Sequence, residues 1–416
     1  MNMTALALVA CWAMQSLEQW KLEGAARKQQ GDARGALAAF ERAVELDPKS
    51  AVLQDEVGFL LAVQGRQAEA IRRFEQAIAL DARHAPAHYH LGVAKWLAKD
   101  RAAAIPALER AVTLEPRNSE YRFRLGMMLL ETGGEAKAAE HLRAVVAARP
   151  NQHEAWSALG LARQRSGDLP GARDAYQRAV ALAPANHEYR NSWGLMLVDT
   201  GAGEAGIREF QAILRAAPGN QAARVNIGYA HLQKGDYEQA VQVFREILTK
   251  TPDVAVVHYD LGLALKQQDR LDEAKQELRE AARLDPLLVE AHYTLGITAW
   301  QAGEFEEAAE AFRRAVDLSP TYAEARFMLG TALKQKGDLA GAARELNEAI
   351  RLDPSTPGPY NTLAQVRQAQ GQREEAKKLF AQAAEVKRKK EMEQARRLGT
   401  PVGTMDLAAP RGGRAK

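Results

Sequence analysis

The chain has 416 residues, of which 46% are hydrophobic, 26% are charged and 6% are aromatic. These proportions are typical of a soluble folded protein, and a net charge of only +3 gives no electrostatic reason to expect a nucleic-acid partner. A single cysteine excludes a disulfide framework and a cysteine-based zinc cluster.

Residues 1–16, "MNMTALALVACWAMQS", form an apolar segment that is shorter than a membrane-spanning helix. Leu8-Val9-Ala10-Cys11 resembles the lipobox of bacterial lipoproteins, in which the cysteine is lipidated after cleavage. Against this interpretation, no Lys or Arg precedes the apolar run, and the leader would be very short. The segment is therefore either a helical cap or a short lipoprotein-type leader, with Cys11 as the possible lipidation site.

A 34-residue period governs the rest of the chain. The phrase "ALAAFERAVELDP", which ends at Pro48, returns as "AAEAFRRAVDLSP" at Pro320 and "AARELNEAIRLDP" at Pro354. A frame that starts at Leu17 gives eleven repeats through Lys390 without an insertion. The period predicts one continuous repeat region over residues 17–390.

Each repeat predicts two short helices, A and B. Position 8 is glycine in ten repeats, from Gly24 to Gly330, position 20 is nearly always alanine, and position 24 is always a large apolar or aromatic residue. The small residues let helix A approach helix B closely, and the glycine common at position 15 ends helix A. An aspartate often follows that glycine and can cap helix B, and "LDP" ends helix B. The predicted caps are Asp32, Asp168, Asp236 and Asp338.

Around the start of the third repeat, His84, His88 and His90 resemble a metal-ligand cluster. His88, however, is at position 4, where His258 and His292 also occur. The histidines are thus typical of a local repeat variant, and we predict no metal and no cofactor.

Pro106 falls at position 22 of the same repeat, inside helix B. Proline has no N–H to donate to the carbonyl of Ala102. It therefore predicts either a bend of the solenoid or a distortion that is absorbed locally.

A literal G-x-G-x-x-G is formed by Gly201, Gly203 and Gly206. These glycines occupy the turn, the first turn of helix B and the close-contact position of the sixth repeat. Dinucleotide binding needs a strand before this motif, whereas here a helix precedes it. We therefore predict no dinucleotide site.

Residues 391–416 follow the last repeat as a basic helix extension and a disordered tail. From Lys387 onward there are nine basic and three acidic residues, including "KRKK". A solvated end that caps the array is favoured over a contact with an anionic surface.

The pattern W–LG–Y, A–F–A, P in 34 residues resembles the tetratricopeptide repeat family, and the resemblance covers about nine-tenths of the chain. It implies an all-α fold, a right-handed α-solenoid (superhelix) of stacked helix-turn-helix units. The tryptophan of the family at position 4 is present as Trp20 and Trp156 and is often replaced by His or Arg elsewhere.

In that family the concave surface is lined by helix A positions 2, 5, 9 and 12, which implies a peptide-binding groove here. Aromatic residues favour two stretches, over repeats 2–4 and 7–10, because such side chains are good anchors for peptides. The predicted groove residues are Phe59, Tyr89, Trp96, Phe123, Met127, Tyr229, Tyr259, Tyr293, Trp300 and Phe327. The alternative is that the position 5 aromatics pack on the next repeat.

Two specialised versions of this groove are not matched. The carboxylate clamp, which binds acidic C-terminal tails in the family, is absent because Ala25, Glu56 and Pro86 stand at three of its positions. The ladder of asparagines at position 6 is represented by Asn226 alone.

We therefore predict a non-enzymatic scaffold in the cytoplasm that binds extended peptide segments of partner proteins, with an assembly or adaptor role. The alternatives are a membrane-anchored periplasmic lipoprotein in envelope or pilus assembly, which needs lipidation of Cys11, and a regulatory subunit of an enzyme complex. The alanine- and arginine-rich composition favours a bacterial source.

Overall fold

The computed structural model describes the backbone of residues 3–397 and the side chains of residues 16–394 and 396. Within this range it contains 22 α-helices and no strand, so the all-α fold class is confirmed. The chain divides into an N-terminal unit, residues 1–200, and a C-terminal unit, residues 201–416. The predicted tail from 398 and the side chain of Cys11 lie outside the described residues. No described helix combines the length and the apolar character needed to cross a membrane.

Odd-numbered helices are the A helices of successive repeats and even-numbered helices are the B helices. The N-terminal unit contains α1 Met3–Gln29, α2 Ala33–Leu46, α3 Ala51–Val63, α4 Gln67–Leu80, α5 Ala85–Leu97, α6 Arg101–Leu114, α7 Ser119–Glu131, α8 Glu135–Ala148, α9 His153–Arg165, α10 Leu169–Leu182 and α11 His187–Asp199. The C-terminal unit contains α12 Gly203–Ala216, α13 Gln221–Lys234, α14 Tyr237–Leu248, α15 Ala255–Gln267, α16 Leu271–Leu284, α17 Val289–Gln301, α18 Phe305–Leu318, α19 Ala323–Gln335, α20 Leu339–Leu352, α21 Pro357–Ala369 and α22 Arg373–Arg397. Within each unit a B helix also packs on the A helix of the next repeat, which stacks the hairpins as an α-solenoid.

In nine hairpins, a Cβ added to the position 8 glycine would meet the position 24 side chain. A Cβ built on Gly296 would lie 2.6 Å from the ring of Phe312, and one on Gly228 would lie 2.4 Å from the ring of Phe244. Both rings are fully buried. The glycine therefore leaves the space that the ring fills, and the predicted close approach of helices A and B is confirmed.

In the last repeat the glycine is absent and the opposite ring is not buried. That repeat has Ala364 in place of the glycine, and its position 24 ring, Phe380, is 38% exposed. Among the described residues, no helix follows α22 to cover Phe380. The repeat without glycine at position 8 is thus also the repeat whose position 24 ring is exposed.

The turn at position 15 is left-handed in the described repeats. Its glycines have positive φ angles, for example +84° at Gly201, which confirms the predicted turn. Lys99 and Asp269 replace glycine in two repeats and keep the left-handed conformation, with φ of 63° and 60°. This conformation is unfavourable for residues with a Cβ, so the hairpin geometry prevails over the local preference. The literal G-x-G-x-x-G therefore begins with this turn, and Gly203 is the first residue of α12.

The predicted caps of helix B are present in three of four cases. The carboxylates of Asp32, Asp168 and Asp338 accept a hydrogen bond from the backbone N–H three residues later. The prediction for Asp236 is wrong, because its carboxylate makes an ion pair with Lys234 at 2.7 Å instead.

Position 4 carries a bond that spans successive repeats. Trp156 Nε1 donates to the carbonyl of Pro150 at 2.8 Å, and His258 Nε2 lies 2.7 Å from the carbonyl of Pro252. The same contact with the carbonyl six residues earlier is made by Gln54, His88, Arg122, Arg190, Arg224, His292, Arg326 and Tyr360. All these residue types have an N–H or O–H donor. This inter-repeat bond explains why histidine and arginine replace tryptophan.

Helix α6 runs without interruption from Arg101 to Leu114 across Pro106. Pro106 is exposed, so water can reach the carbonyl that loses its partner. The local distortion is thus compatible with a continuous helix.

We predict that Gly296→Ala destabilises the protein by about 1–3 kcal/mol, because the new methyl group must displace the buried ring of Phe312. Without this clash, alanine would stabilise a helix by about 1 kcal/mol relative to glycine. Urea unfolding followed by circular dichroism measures the difference. Gly219→Ala is the control, since its added Cβ meets no atom within 4 Å. Equal midpoints for Gly296→Ala and the wild type would contradict the steric explanation.

A second prediction concerns the inter-repeat bond of Trp156. We expect Trp156→Phe to lose about 1 kcal/mol or more, because the carbonyl of Pro150 loses its donor. Trp156→His keeps a donor, as His88 does at the same position, and should be more stable than Trp156→Phe although histidine is smaller. Urea midpoints at pH 8, where imidazole is neutral, test the order. The opposite order would show that side-chain volume matters more than the bond.

Candidate functional site

The A helices form the inner side of each unit. Successive A helices touch directly, as α3 with α5 and α7 with α9 in the N-terminal unit, and as each neighbouring pair from α13 to α21 in the C-terminal unit. Between described residues, no two B helices approach one another to the same extent. When one side of a stack is more closely spaced than the other, the stack curves toward that side. The A helices thus present the inner surface on which the predicted groove residues lie.

All ten predicted groove residues are partly buried, and none is fully buried or fully exposed. Five lie in the N-terminal unit: Phe59, Tyr89, Trp96, Phe123 and Met127. Five lie in the C-terminal unit: Tyr229, Tyr259, Tyr293, Trp300 and Phe327. Each side chain can therefore pack on the hairpins with one part and offer another part to a ligand. Binding by these residues remains a prediction.

In the N-terminal unit, several aromatic rings contact groups from neighbouring repeats. Tyr89 stacks on Tyr121 with ring centroids 4.6 Å apart, and its hydroxyl donates to Glu120 at 3.3 Å. The Lys28 ammonium lies 4.4 Å from the centroid of the Phe59 ring. The position 5 aromatic thus packs on the next repeat, as the alternative interpretation expected, without being fully covered.

The C-terminal unit contains a comparable set of rings. Tyr293 lies 5.0 Å from Tyr322 between ring centroids, and Trp300 lies 4.9 Å from Phe305. Phe327 reaches across to the next repeat at Gly358, where a Cβ would lie 3.0 Å from the ring. These contacts hold the rings in defined positions on the inner surface.

The histidines that resemble a metal cluster have other partners. His90 Nδ1 lies 2.8 Å from the buried carboxylate of Asp55, and His84 Nε2 lies 3.4 Å from it, whereas His88 contacts the carbonyl of Ala82. No group of three or more ligand side chains suited to a metal ion is found among the described residues. Asp55 is thus a buried carboxylate with two imidazole partners.

Asp260 is a buried carboxyl group without such partners. It is only 8% exposed, and no described side chain lies within hydrogen-bond or ion-pair distance of it. Burial raises the pKa of Asp260 to about 7. Its neighbour on α15 is the predicted groove residue Tyr259. Ionisable groups with strongly shifted pKa values are common at functional sites, so this part of the inner surface is a candidate binding site.

Comparison with protein-family models finds tetratricopeptide repeat models along most of the chain. One matches residues 60–111, 96–153, 259–323 and 293–357, and another matches residues 358–390. Residues 141–256 match the tetratricopeptide repeat domain of cytochrome c-type biogenesis protein H. The chain belongs to the tetratricopeptide repeat family. Proteins with this repeat fold are protein–protein interaction scaffolds that bind peptides or proteins and are typically non-catalytic.

No curated protein matches this tetratricopeptide repeat chain in sequence. Among solved structures, yeast Tom70 is 14% identical, with 94% of this chain and 95% of Tom70 covered and a TM-score of 0.48. MamA is 27% identical over 40% of this chain and 97% of its own, with a TM-score of 0.39. YrrB, described as a TPR protein with an unusual peptide-binding site, is 20% identical over 44% and 95%, with a TM-score of 0.43. All three scores are low, so the fold assignment rests on the family models and the hairpins themselves.

Sequence reasoning missed two features of the inner surface. Each tyrosine at position 5 is followed 31 residues later by a glutamate, as Tyr89 is by Glu120, and this spacing is visible in the sequence. The burial of Asp260 has no comparable signal, because position 6 holds many residue types and only the three-dimensional packing shows which are covered.

The pKa of Asp260 leads to a prediction on stability. The folded state binds the proton more tightly than the unfolded state, so the free energy of unfolding falls as the pH rises from about 4 to about 7 and stays low above that. We expect Asp260→Asn to be more stable than the wild type by about 1–3 kcal/mol at pH 8, and to depend less on pH below 7.

Urea midpoints of both proteins at pH 5 and pH 8 provide the test. Asp317→Asn is the control, because Asp317 is an exposed carboxylate on α18. A wild-type midpoint that rises between pH 5 and pH 8, relative to Asp260→Asn, would contradict the assignment.

Proposed function

We propose that this protein is a non-enzymatic scaffold that holds extended segments of partner proteins against the A helices of each unit. The observation that carries the proposal is the row of partly buried aromatic side chains on the inner side of both units. Large, rigid aromatic groups bind peptide side chains at little cost in conformational entropy. Their partial burial keeps them oriented before a partner arrives, which lowers the cost of ordering on binding.

The repeat positions also account for the motifs that could have indicated catalysis. The glycines of G-x-G-x-x-G serve the turn and the start of α12, and His88 makes the inter-repeat bond. His84 and His90 contact the carboxylate of Asp55. These side chains have structural partners, which supports a scaffold rather than an enzyme.

An assembly role is the form of scaffolding that we favour. The match of residues 141–256 to a domain of a protein named for cytochrome c-type biogenesis supports it, because biogenesis is itself an assembly process. We place the scaffold in the cytoplasm, and anchoring in the periplasm through lipidated Cys11 is the alternative. Mass spectrometry of cell fractions separates the two, since an unmodified Cys11 peptide in the cytosol excludes the anchor.

We predict that partners contact the A helices and not the B helices. A photo-crosslinking residue, benzoylphenylalanine, at Trp300 or Phe327 should label a defined set of proteins in cells of the source organism. The same residue at Glu310 or Asp317, both exposed on helix α18, is the matched control. Mass spectrometry identifies the labelled proteins. Equal labelling from both faces would contradict the proposed groove.

A further inference from the structure

Three tyrosine–glutamate pairs are shared between neighbouring A helices. In each pair a tyrosine at position 5 is followed by a glutamate at position 2 of the next repeat; the pairs are Tyr89 with Glu120, Tyr259 with Glu290, and Tyr293 with Glu324. Burial raises the pKa of Tyr259, and the charges of Asp260 and Glu290 add to this effect. Burial and the neighbouring Glu324 carboxylate likewise raise the pKa of Tyr293. Each pair thus places a carboxylate beside an aromatic ring on the inner surface.

In the N-terminal unit the chain supplies its own cations to this surface. Arg124 lies 3.8 Å from the Glu120 carboxylate of the first pair. Lys28 lies over the Phe59 ring, and the Arg101 guanidinium lies 5.3 Å from the centroid of the Trp96 ring. One pair thus has an arginine beside its carboxylate, and two other aromatic rings of this surface each have a cation over them.

In the C-terminal unit, no such cation is found beside the equivalent groups among the side chains that the structure describes. Position 6, where Arg124 stands, holds Thr294 and Met328 beside the other two pairs. Among described side chains, no Lys or Arg lies within 4 Å of the exposed carboxylates of Glu290 and Glu324, or over the rings of Tyr259, Tyr293, Trp300 and Phe327. Lys266 and Lys334 are at position 12, about 10 Å along the helix from position 5. The negative charges near the start of these A helices are thus available to an external cation.

A cavity of about 320 Å³ lies beside Glu324, the acidic member of the pair with Tyr293. Glu324, Phe327, Asp353, Thr356 and Pro359 contribute to its lining. Hydrogen bonds from Ser355 and Thr356 lower the pKa of Asp353, so its carboxylate is charged. The charge of Lys390 also lowers the pKa of Asp353. An aromatic wall with two carboxylates suits a side chain that has an apolar stem and a cationic end.

Asp260 extends the acidic character to the pair of Tyr259 with Glu290. It is more than nine-tenths buried, has no partner among the described side chains, and acts electrostatically on Tyr259. Asp55, the buried carboxylate of the N-terminal unit, has two imidazoles beside it. A buried carboxyl group without a counter-charge is costly, and a bound cation would remove that cost.

We infer that the inner surface of the C-terminal unit, at Asp260, Glu290, Tyr293, Glu324 and Phe327, binds lysine or arginine side chains of an extended partner segment. This inference rests on the proposed scaffold function and specifies the chemistry of its partner. Touching helices lie about 8–10 Å apart, and an extended chain advances about 3.3 Å per residue. The basic residues of the partner therefore recur at about every third position.

The test uses the full chain and a fluorescent peptide of about twelve residues with lysine at every third position. A second peptide has norleucine, which is uncharged, in place of each lysine. We expect the lysine peptide to bind about tenfold more tightly, and Glu290→Gln with Glu324→Gln to abolish this preference. Glu310→Gln with Asp317→Asn is the matched control, because it removes the same charge from helix α18 and should keep the preference.

Fluorescence anisotropy at constant ionic strength measures the affinities, and circular dichroism verifies folding. Glutamate in the first turn of a helix also interacts with the helix dipole, so a purely structural role would change the urea midpoint and leave the preference intact. If the double variant does not fold, Glu324→Gln alone must show part of the loss.

Two results would overturn the inference while leaving the scaffold function untouched. One is equal affinity for the two peptides, and the other is an equal loss in both double variants. Failure of the scaffold function itself would appear separately, as equal photo-crosslinking from the A and B helices.

The same binding assay can also show whether the acidic surface is occupied by the chain's own C-terminal segment or by a second copy of the protein. A peptide of residues 398–416 carries Arg411, Arg414 and Lys416. Its displacement of the lysine peptide, together with tighter binding by a chain that ends at Arg397, would assign the surface to this chain's own C-terminal segment. Self-association that is lost only in Glu290→Gln with Glu324→Gln would assign it to a second copy. Either result would overturn binding of a separate partner.

Discussion

The contact between a helix A glycine and the large side chain opposite it on helix B is the constraint on which the structure depends. A methyl group at Gly296 would lie inside the space of Phe312, and the same is true at Gly228 with Phe244. The missing side chain lets the two helices lie close together and leaves room for one large ring or leucine in the core of the hairpin. Because ten repeats share this glycine, the hairpins have nearly the same thickness and stack in a regular way.

Helix A can serve three purposes at once because the helical period separates its faces. Its small and apolar positions face helix B, position 4 donates to the preceding repeat, and positions 2, 5, 9 and 12 remain for the inner surface. The fold therefore constrains the distance between helices A and B, the volume of the core side chains and one hydrogen-bond donor in each repeat. Residues on and beside the inner surface are largely released from these duties, so their charge can differ between units, as it does at position 6 between Arg124 and Thr294.

The fold could be predicted from sequence almost completely, and the surface only in part. The period repeats eleven times and the position 8 glycine ten times, so chance agreement is excluded. The predicted cap at Asp236 is wrong because the carboxylate forms an ion pair with Lys234. The repeat pattern does not reveal this contact. The pairing of Tyr293 with Glu324 depends on the stacking of two repeats, and the burial of Asp260 depends on packing from several helices. Such relations require coordinates.

The bond donated by position 4 has a consequence for how such a chain can evolve. Its acceptor is a main-chain carbonyl, which every amino acid possesses, so the donor needs no particular neighbour. A gene segment that encodes one repeat can thus be duplicated, deleted or exchanged, and the new junction forms the same bond. Lineages can therefore lengthen the array or alter its specificity by recombination without first accumulating compensating substitutions.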